Sequence, residues 1–196
     1  MAPSKLPPHH SKWNRPPRAG AILGSLLLVL ILPLGVARAQ DNAAKARALV
    51  SSAIQMTNSD EAVKLLWQAT EIDPTLEDPY VYLGVYYNSR SDFASMVKVY
   101  QKLIKYRPNE VSAYLNIGEA YMSFTPPRLQ EALGYYQKAY ALDPKNSWTA
   151  LRIGEIFAQN GNREEATKYL RVALADTKNS AASAEAERLL RQMGSL

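Results

Sequence analysis

The segment EALGYYQKAYALDP, Glu131 to Pro144, closely resembles two other segments of the same chain. These are EAVKLLWQATEIDP, Glu61 to Pro74, and SMVKVYQKLIKYRP, Ser95 to Pro108. The three closing prolines are 34 and 36 residues apart, and glycines at positions 84, 118 and 154 keep the same spacing. A fixed period of this length predicts a solenoid of stacked supersecondary units.

Each unit divides into two amphipathic halves separated by a helix-breaking segment. One face of the first half of the best-preserved unit carries Tyr114, Ile117, Gly118 and Tyr121 at helical spacing. One face of its second half carries Ala132, Tyr136 and Ala139. The breakers are residues 90–92, 125–127 and 160–162. The pattern predicts an all-α chain of helix-turn-helix units, stacked because one helix pair cannot bury its apolar face alone.

These positions resemble the tetratricopeptide repeat (TPR), in which aromatic-x-x-Leu-Gly-x-x-Tyr precedes Ala-x-x-x-Phe and a closing proline. The unit from Glu77 supplies Tyr80, Leu83, Gly84, Tyr87, Met96, Tyr100 and Pro108. The next unit supplies Tyr114, Ile117, Gly118, Tyr121, Ala132, Tyr136 and Pro144, with two extra residues at its turn. The third supplies Ala150, Ile153, Gly154, Phe157, Ala166 and Leu170.

The resemblance sets the predicted boundaries of the chain. They are a degenerate first repeat at 43–76, repeats at 77–110, 111–146 and 147–180, and a capping helix with tail at 181–196. The resemblance also implies that the repeat glycines let the backbones of two helices touch, opposite alanines on the facing helix. The tyrosines at repeat positions are expected in the core: Tyr80, Tyr87, Tyr100, Tyr114, Tyr121 and Tyr136.

Residues 1–39 differ in composition from the rest of the chain. They hold five lysines and arginines and no acid, and residues 19–36 form an uncharged, largely apolar run. Ala37-Arg38-Ala39 follows as a small-any-small exit, which predicts a secretory signal peptide cleaved after Ala39. Pro33 and Gly35 are expected to hold the cleavage site in extended form. The alternative is an uncleaved membrane anchor, since the run is only slightly shorter than the roughly 20 residues needed to span.

Removing residues 1–39 changes what the composition means. The full chain has a net charge of +5, but residues 40–196 carry 18 basic and 18 acidic side chains. The basic balance therefore belongs to the export signal, and we expect no nucleic-acid partner. Both histidines, His9 and His10, are also removed, and cysteine is absent. No Ser-His-Asp or Cys-His nucleophile, zinc site or other cofactor site is expected.

In the repeats that this chain resembles, the first helices line a concave groove that takes an extended peptide or a partner helix. By that resemblance the partner-binding groove comprises Tyr82, Val85, Leu115, Asn116, Glu119, Met122, Trp148, Leu151, Arg152 and Glu155. Some family members hold a terminal carboxylate with lysines, asparagines and an arginine on these helices. Only Asn116 and Arg152 match that set here, so no carboxylate clamp is expected.

The sequence therefore predicts a non-enzymatic protein-protein interaction scaffold of the cell envelope, exported to the bacterial periplasm. The first alternative is a scaffold anchored in the inner membrane by its uncleaved N-terminal helix, with the repeats outside. The second is a glycan-acting enzyme that uses Glu119 and Glu155, at equivalent positions of neighbouring repeats. Adjacent helices would place these carboxylates about 8–10 Å apart, with Arg152 close to them.

Overall fold

The computed structural model describes residues 34–57, 59–176 and 178–196. Two compact units are distinguished, Met1–Arg38 and Ala39–Leu196, and residues 34–38 are the described part of the first. The described residues form nine α-helices and no strand, which confirms the all-α fold. The helices are α1 (Leu34–Ile54), α2 (Ser59–Ile72), α3 (Asp78–Ser89), α4 (Phe93–Tyr106), α5 (Val111–Ser123), α6 (Leu129–Leu142), α7 (Ser147–Gln159), α8 (Arg163–Leu174) and α9 (Ser180–Gln192).

The helices form four successive pairs followed by α9. From α2 onward each helix packs on the next along the chain, and α9 also packs on α7. The turns inside the pairs α3–α4 and α7–α8 are residues 90–92 and 160–162, whereas the α5–α6 turn is residues 124–128. The two extra residues therefore lie at the Thr-Pro-Pro turn, as predicted.

The closing prolines end the second helix of a pair for a local steric reason. Proline disfavours the helical region for the residue before it. Arg107, before Pro108, has φ −127° and ψ 74°, and Asp143, before Pro144, has φ −139° and ψ 87°. The helices consequently end at Tyr106 and Leu142.

Successive repeats are also joined by tyrosine hydroxyls. Tyr80 donates a hydrogen bond of 3.0 Å to the carbonyl of Pro74, and Tyr114 donates one of 2.9 Å to the carbonyl of Pro108. Of the six tyrosines expected in the core, three are buried and three are half-buried. The buried ones are Tyr80, Tyr100 and Tyr136, and the half-buried ones are Tyr87, Tyr114 and Tyr121.

The repeat glycines mark close crossings, but the predicted contact with the facing backbone is wrong for Gly84 and Gly118. A Cβ on Gly118 would overlap the ring of Tyr136, and one on Gly154 would lie 2.7 Å from Leu170 Cγ. Gly84 meets Tyr100 in the same way. At Gly84 and Gly118 the missing side chain thus makes room for a tyrosine ring of the second helix, whereas at Gly154 the backbone nitrogen of Leu170 also lies 3.3 Å from the Cβ position.

The capping helix α9 buries one face, as its pattern predicts. Ala182, Ala186 and Leu190 are fully buried, whereas Leu189 and Met193 are half-buried. They share one hydrophobic cluster with residues of α7 and α8. Arg188 and Arg191 lie exposed on the opposite side, paired with glutamates of the same helix.

The predicted signal peptide lies largely outside the described residues, but its exit segment is described. Helix α1 begins at Leu34 and includes Gly35 and Ala37–Ala39. The expectation that Pro33 and Gly35 hold this segment extended is therefore wrong for this structure, because a glycine lowers helix stability without preventing a helix. None of the helices in the described part of the chain is both long and apolar enough to cross a membrane.

Candidate partner-binding site

Side chains of α5 and α7 line an open surface cavity of about 320 Å³ on the first helices. We call it the α5–α7 cavity. It brings together five of the ten predicted groove residues and one that was not predicted. The lining residues are Ser112, Leu115, Asn116, Glu119, Trp148 and Arg152.

Trp148 forms one wall of the cavity. Asn146 caps α7 by accepting a hydrogen bond from the backbone N–H of Thr149, which fixes the start of the helix. Trp148 therefore lies in the first turn and keeps 41% of its surface exposed. The guanidinium of Arg152, one turn later, lies 5.6 Å from the centre of the indole ring system. The two side chains point the same way, as their spacing predicts.

Arg152 is held by two carboxylates on two helices. Its Nε and Nη2 donate to Glu119 of α5 at 2.7 and 3.1 Å, and its Nη1 donates to Glu155 of α7 at 2.9 Å. Burial alone would lower the pKa of Arg152, but the hydrogen bonds to Glu155 and Glu119 raise it above the ordinary value. Arg152 therefore links α5 to α7.

The ion pairs of Arg152 bear on two possible activities of this surface, glycan hydrolysis and binding of a terminal carboxylate. Glycoside hydrolysis needs one carboxylic acid that donates a proton and one carboxylate that acts opposite it. Glu119 and Glu155 instead accept hydrogen bonds from the same guanidinium, and this geometry gives the glycan-hydrolysis alternative no support. The residues that match a carboxylate clamp are also engaged, since Asn116 Nδ2 donates to the carbonyl of Ser112 at 2.8 Å.

The remaining predicted groove residues divide into three groups. Leu151 is fully buried in the cluster formed with α9, so its assignment to the groove is wrong. Met122 and Glu155 are half-buried and do not line the cavity, although Glu155 pairs with Arg152. Tyr82 and Val85 are 43% and 63% exposed on α3, and they do not line the α5–α7 cavity.

Sequence reasoning missed Ser112 and a second ion cluster beside it. Ser112 occupies the position of Trp148 one repeat earlier, so the repeat register could have found it. Its Oγ lies 2.9 Å from Glu110 Oε1 and 3.4 Å from Glu77 Oε1. Both carboxylates pair with Arg107, at 2.6 and 3.0 Å. The repeat pattern does not predict this cluster, because its members lie in the connections before α3 and α5.

Beneath the cavity lies a buried tyrosine hydroxyl. Tyr136 is fully buried, and its hydroxyl lies beside Glu119, although it makes no hydrogen bond of standard geometry among the described residues. Burial raises its pKa, and the nearby charge of Glu119 raises it further, whereas Arg152 lowers it. The hydroxyl therefore remains neutral and close to the charged floor of the cavity.

Two further cavities lie away from this site. One of about 440 Å³ lies between α7 and α9 and includes Glu155, Glu185 and Arg188, and one of about 510 Å³ lies beside Pro144 and Arg171. Among the residues that the structure describes, no group of His, Cys, Asp or Glu side chains is arranged to hold a metal ion.

Comparisons with known proteins place the repeats in a family. Two family models, both described as tetratricopeptide repeat, match residues 83–147 and 128–193. Tetratricopeptide repeat protein 21B of Mus musculus is 26% identical over 123 residues, which is 62% of this chain and 9% of that protein. Anaphase-promoting complex subunit 3 of Schizosaccharomyces pombe is 25% identical over 123 residues, 62% of this chain and 18% of that protein. The chain thus spans less than a fifth of the length of either relative.

Solved structures share the fold at low sequence identity. A thermophilic TPR protein of Thermus thermophilus has a TM-score of 0.57 at 19% identity, covering 76% of this chain and 84% of that one. MamA has a TM-score of 0.56 at 18% identity, covering 69% and 79%. The TPR2B domain of yeast Sti1, in a complex with pHsp70, has a TM-score of 0.52 at 23% identity, covering 59% and 93%.

Proposed function

Because residues 83–193 of this chain are tetratricopeptide repeats, we propose that the protein is a non-enzymatic scaffold that holds a partner protein on its first helices. The observation that carries the proposal is the α5–α7 cavity, which is lined by Trp148 and Arg152 in contact with each other. Tryptophan and arginine supply a large share of binding hot spots, because they bury much area and pair strongly when desolvated. TPR domains bind other proteins or peptides, and the yeast Sti1 domain is similar in fold.

The partner is an extended peptide or a helix that runs along α3, α5 and α7. Val81, Tyr82 and Val85 of α3 are 41–63% exposed, so this part of the surface offers apolar contact. The α5–α7 cavity offers an indole, an amide and charged groups. Mixed apolar and polar contacts of this kind are typical of peptide recognition.

Site-specific photo-crosslinking tests the binding surface. A photoreactive amino acid in place of Asn116 should capture a protein from the native host, because Asn116 lines the cavity. The same amino acid in place of Gly134 is the matched control, since that position lies on α6 and a side chain there meets nothing within 4 Å. Capture from position 134 and not from position 116 would place the partner on the second helices and defeat the proposal.

A double substitution tests the energetic weight of the cavity. Trp148→Ala with Arg152→Ala should weaken binding of the crosslinked partner by at least about 2 kcal/mol. Because Arg152 joins α5 to α7, the fold of this variant must be checked by circular dichroism, and Trp148→Ala alone serves as the milder version. Arg191→Ala on α9 is the control, since its side chain is 70% exposed and pairs within its own helix. Arg188 is less suitable, because it borders Glu155 in the neighbouring cavity.

For the location, the composition of residues 1–39 supports export to the bacterial periplasm, in the assembly of envelope complexes. The alternative, an inner-membrane anchor with the repeats outside, is favoured by one observation: α1 runs without a break through Ala37–Ala39. N-terminal sequencing of the protein from its native host separates the two. A chain that starts at Gln40 or Asp41 supports cleavage, and an intact N-terminus supports the anchor.

A further inference from the structure

Charge is unevenly divided among the six helices of the last three pairs. The first helices α3, α5 and α7 carry three acids, Asp78, Glu119 and Glu155, and one base, Arg152. The second helices α4, α6 and α8 carry three acids and seven bases. The acids are Glu131, Glu164 and Glu165, and the bases are Lys98, Lys102, Lys105, Lys138, Arg163, Lys168 and Arg171. Among these six helices, the side that holds the α5–α7 cavity is therefore the acidic one. The first pair has the opposite balance, since α1 carries three bases and one acid and α2 carries one base and three acids.

The same excess of acid appears locally around the cavity. Arg152 neutralises only one of its two carboxylates, Glu119 and Glu155, and Arg107 neutralises only one of Glu77 and Glu110. Ser112, which lines the cavity, reaches the second cluster through its hydroxyl. Two clusters with one uncompensated negative charge each thus flank the same opening.

The walls of the cavity suit an aliphatic chain that ends in a cation. The exposed indole of Trp148 and the side chain of Leu115 are apolar surfaces on which an aliphatic stem can pack. Asn116 donates its Nδ2 to Ser112, which leaves its Oδ1 as the acceptor end of the amide. At about 320 Å³ the cavity is at the small end of ligand clefts, roughly 300–1,000 Å³, and it has room for a long side chain.

We propose that the α5–α7 cavity receives a lysine or arginine side chain of the bound partner protein. The stem lies along Trp148 and Leu115, and the cationic head is shared by Glu119 and the Asn116 amide oxygen. A carboxylate is disfavoured there, because Arg152 already binds two and a third would add like charge. This inference rests on the proposed function, and it adds the chemistry of the partner.

The buried hydroxyl of Tyr136 also lies beside the carboxylate that the cavity presents. Burial raises its pKa, and the neighbouring Glu119 raises it further, so the hydroxyl stays neutral and adds no negative charge to the site.

Peptide selection with the full chain, kept in a mild non-ionic detergent, tests the proposal. A displayed library of random peptides is selected on the wild-type chain, and binders whose affinity depends on Trp148 are kept by counter-screening against Trp148→Ala. These peptides should share a lysine or arginine. Replacing that residue by methionine should weaken binding about tenfold, the effect of one charge-assisted hydrogen bond, as measured by fluorescence anisotropy.

The same peptides are then measured on matched glutamate variants. In the Glu119→Gln chain the tenfold preference for lysine over methionine should shrink to about twofold, whereas Glu164→Gln, an exposed acid on α8, should leave it unchanged. Glu155→Gln serves if Glu119→Gln fails to keep its helical circular dichroism. Trp148-dependent peptides that are indifferent to basic residues, or that prefer acidic ones, would overturn this inference and leave the proposed function standing.

Two other outcomes have distinct meanings. If no selected peptide depends on Trp148, the proposed binding surface itself fails, and this inference fails with it. If Glu119→Gln changes the oligomeric state of the chain in sedimentation but not its peptide binding, the occupant is a second copy that presents its own lysines. That result would overturn the assignment to a partner protein.

Discussion

Helices α3 and α7 occupy the same place in two repeats, yet they present different surfaces. Val81 of α3 is 41% exposed, whereas Leu151, its equivalent on α7, is fully buried. At the next equivalent position, α3 has the exposed Tyr82 and α7 has Arg152, which forms ion pairs. The difference arises because α9 packs directly on α7 and covers Leu151. A repeat position therefore predicts which way a side chain points, and the neighbouring helix decides whether water reaches it.

The largest effect expected from this comparison is on the buried leucine. Leu151→Asp should lower the free energy of unfolding by about 4 kcal/mol or more, because it removes a buried side chain and buries an unpaired charge. Val81→Asp, at the equivalent position of α3, should change it by less than about 0.5 kcal/mol. Urea unfolding followed by circular dichroism measures both. Equal losses would mean that α9 does not cover α7 in solution.

The second expected effect concerns the ion pairs that Arg152 of α7 makes with Glu119 and Glu155. Arg152→Ala should lower the free energy of unfolding by about 2 kcal/mol, because it leaves Glu119 and Glu155 side by side without their shared cation. This loss is smaller than that expected for a fully buried pair, because 30% of the Arg152 side chain is exposed. Tyr82→Ala, at the same repeat position, should cost less than about 0.5 kcal/mol. Thermal unfolding at low and high salt measures the difference, and a cost for Arg152→Ala that vanishes at low salt would show that the bridge is not formed.

The third expected effect separates the repeats by pH. Burial raises the pKa of Tyr100 to about 12, whereas the unfolded chain ionises its tyrosines near the ordinary value of 10.0. The native state then binds its proton more tightly, so the stabilisation is complete below pH 10 and is lost as the pH rises toward 12. Tyr100 alone should contribute about 1.4 kcal/mol of that loss by about pH 11.

The measurement compares unfolding free energies of the wild type and Tyr100→Phe at neutral and alkaline pH. Phenylalanine cannot ionise, so the variant should lose less stability than the wild type. The equivalent residue of the last repeat is Leu170, and hydrogen exchange should accordingly show that the α3–α4 pair opens at a lower pH than the α7–α8 pair. If the wild type and Tyr100→Phe lost the same free energy of unfolding at alkaline pH, the assignment to Tyr100 would be contradicted.

The smallest expected effect is at the most exposed position of the comparison. Val85→Ser should leave the unfolding free energy within about 0.5 kcal/mol of the wild type, because the Val85 side chain is already largely in water. Its cost should appear only in partner binding, as reduced photo-crosslinking from Asn116. A clear loss of thermal stability in Val85→Ser would mean that α3 is covered in the free protein.

By itself, the sequence determined the helix pairs and most of the core. The 34- and 36-residue spacing of prolines and glycines placed the turns, because proline ends a helix and a missing side chain permits a close crossing. The spacing also predicted that Trp148 and Arg152 share a face, since residues four apart on a helix are neighbours. These are local properties, and each repeat carries them in its own residues.

Only the tertiary structure decided which of those residues form the site. The burial of Leu151 depends on α9, which follows it in the chain by about 30 residues and approaches closely through Ala182 and Ala186. The sharing of Arg152 between Glu119 and Glu155 depends on the distance between α5 and α7. Contacts between repeats depend on the distance between helices of neighbouring repeats, and this distance is set by how the helices pack. The periodic pattern of the sequence does not predict it.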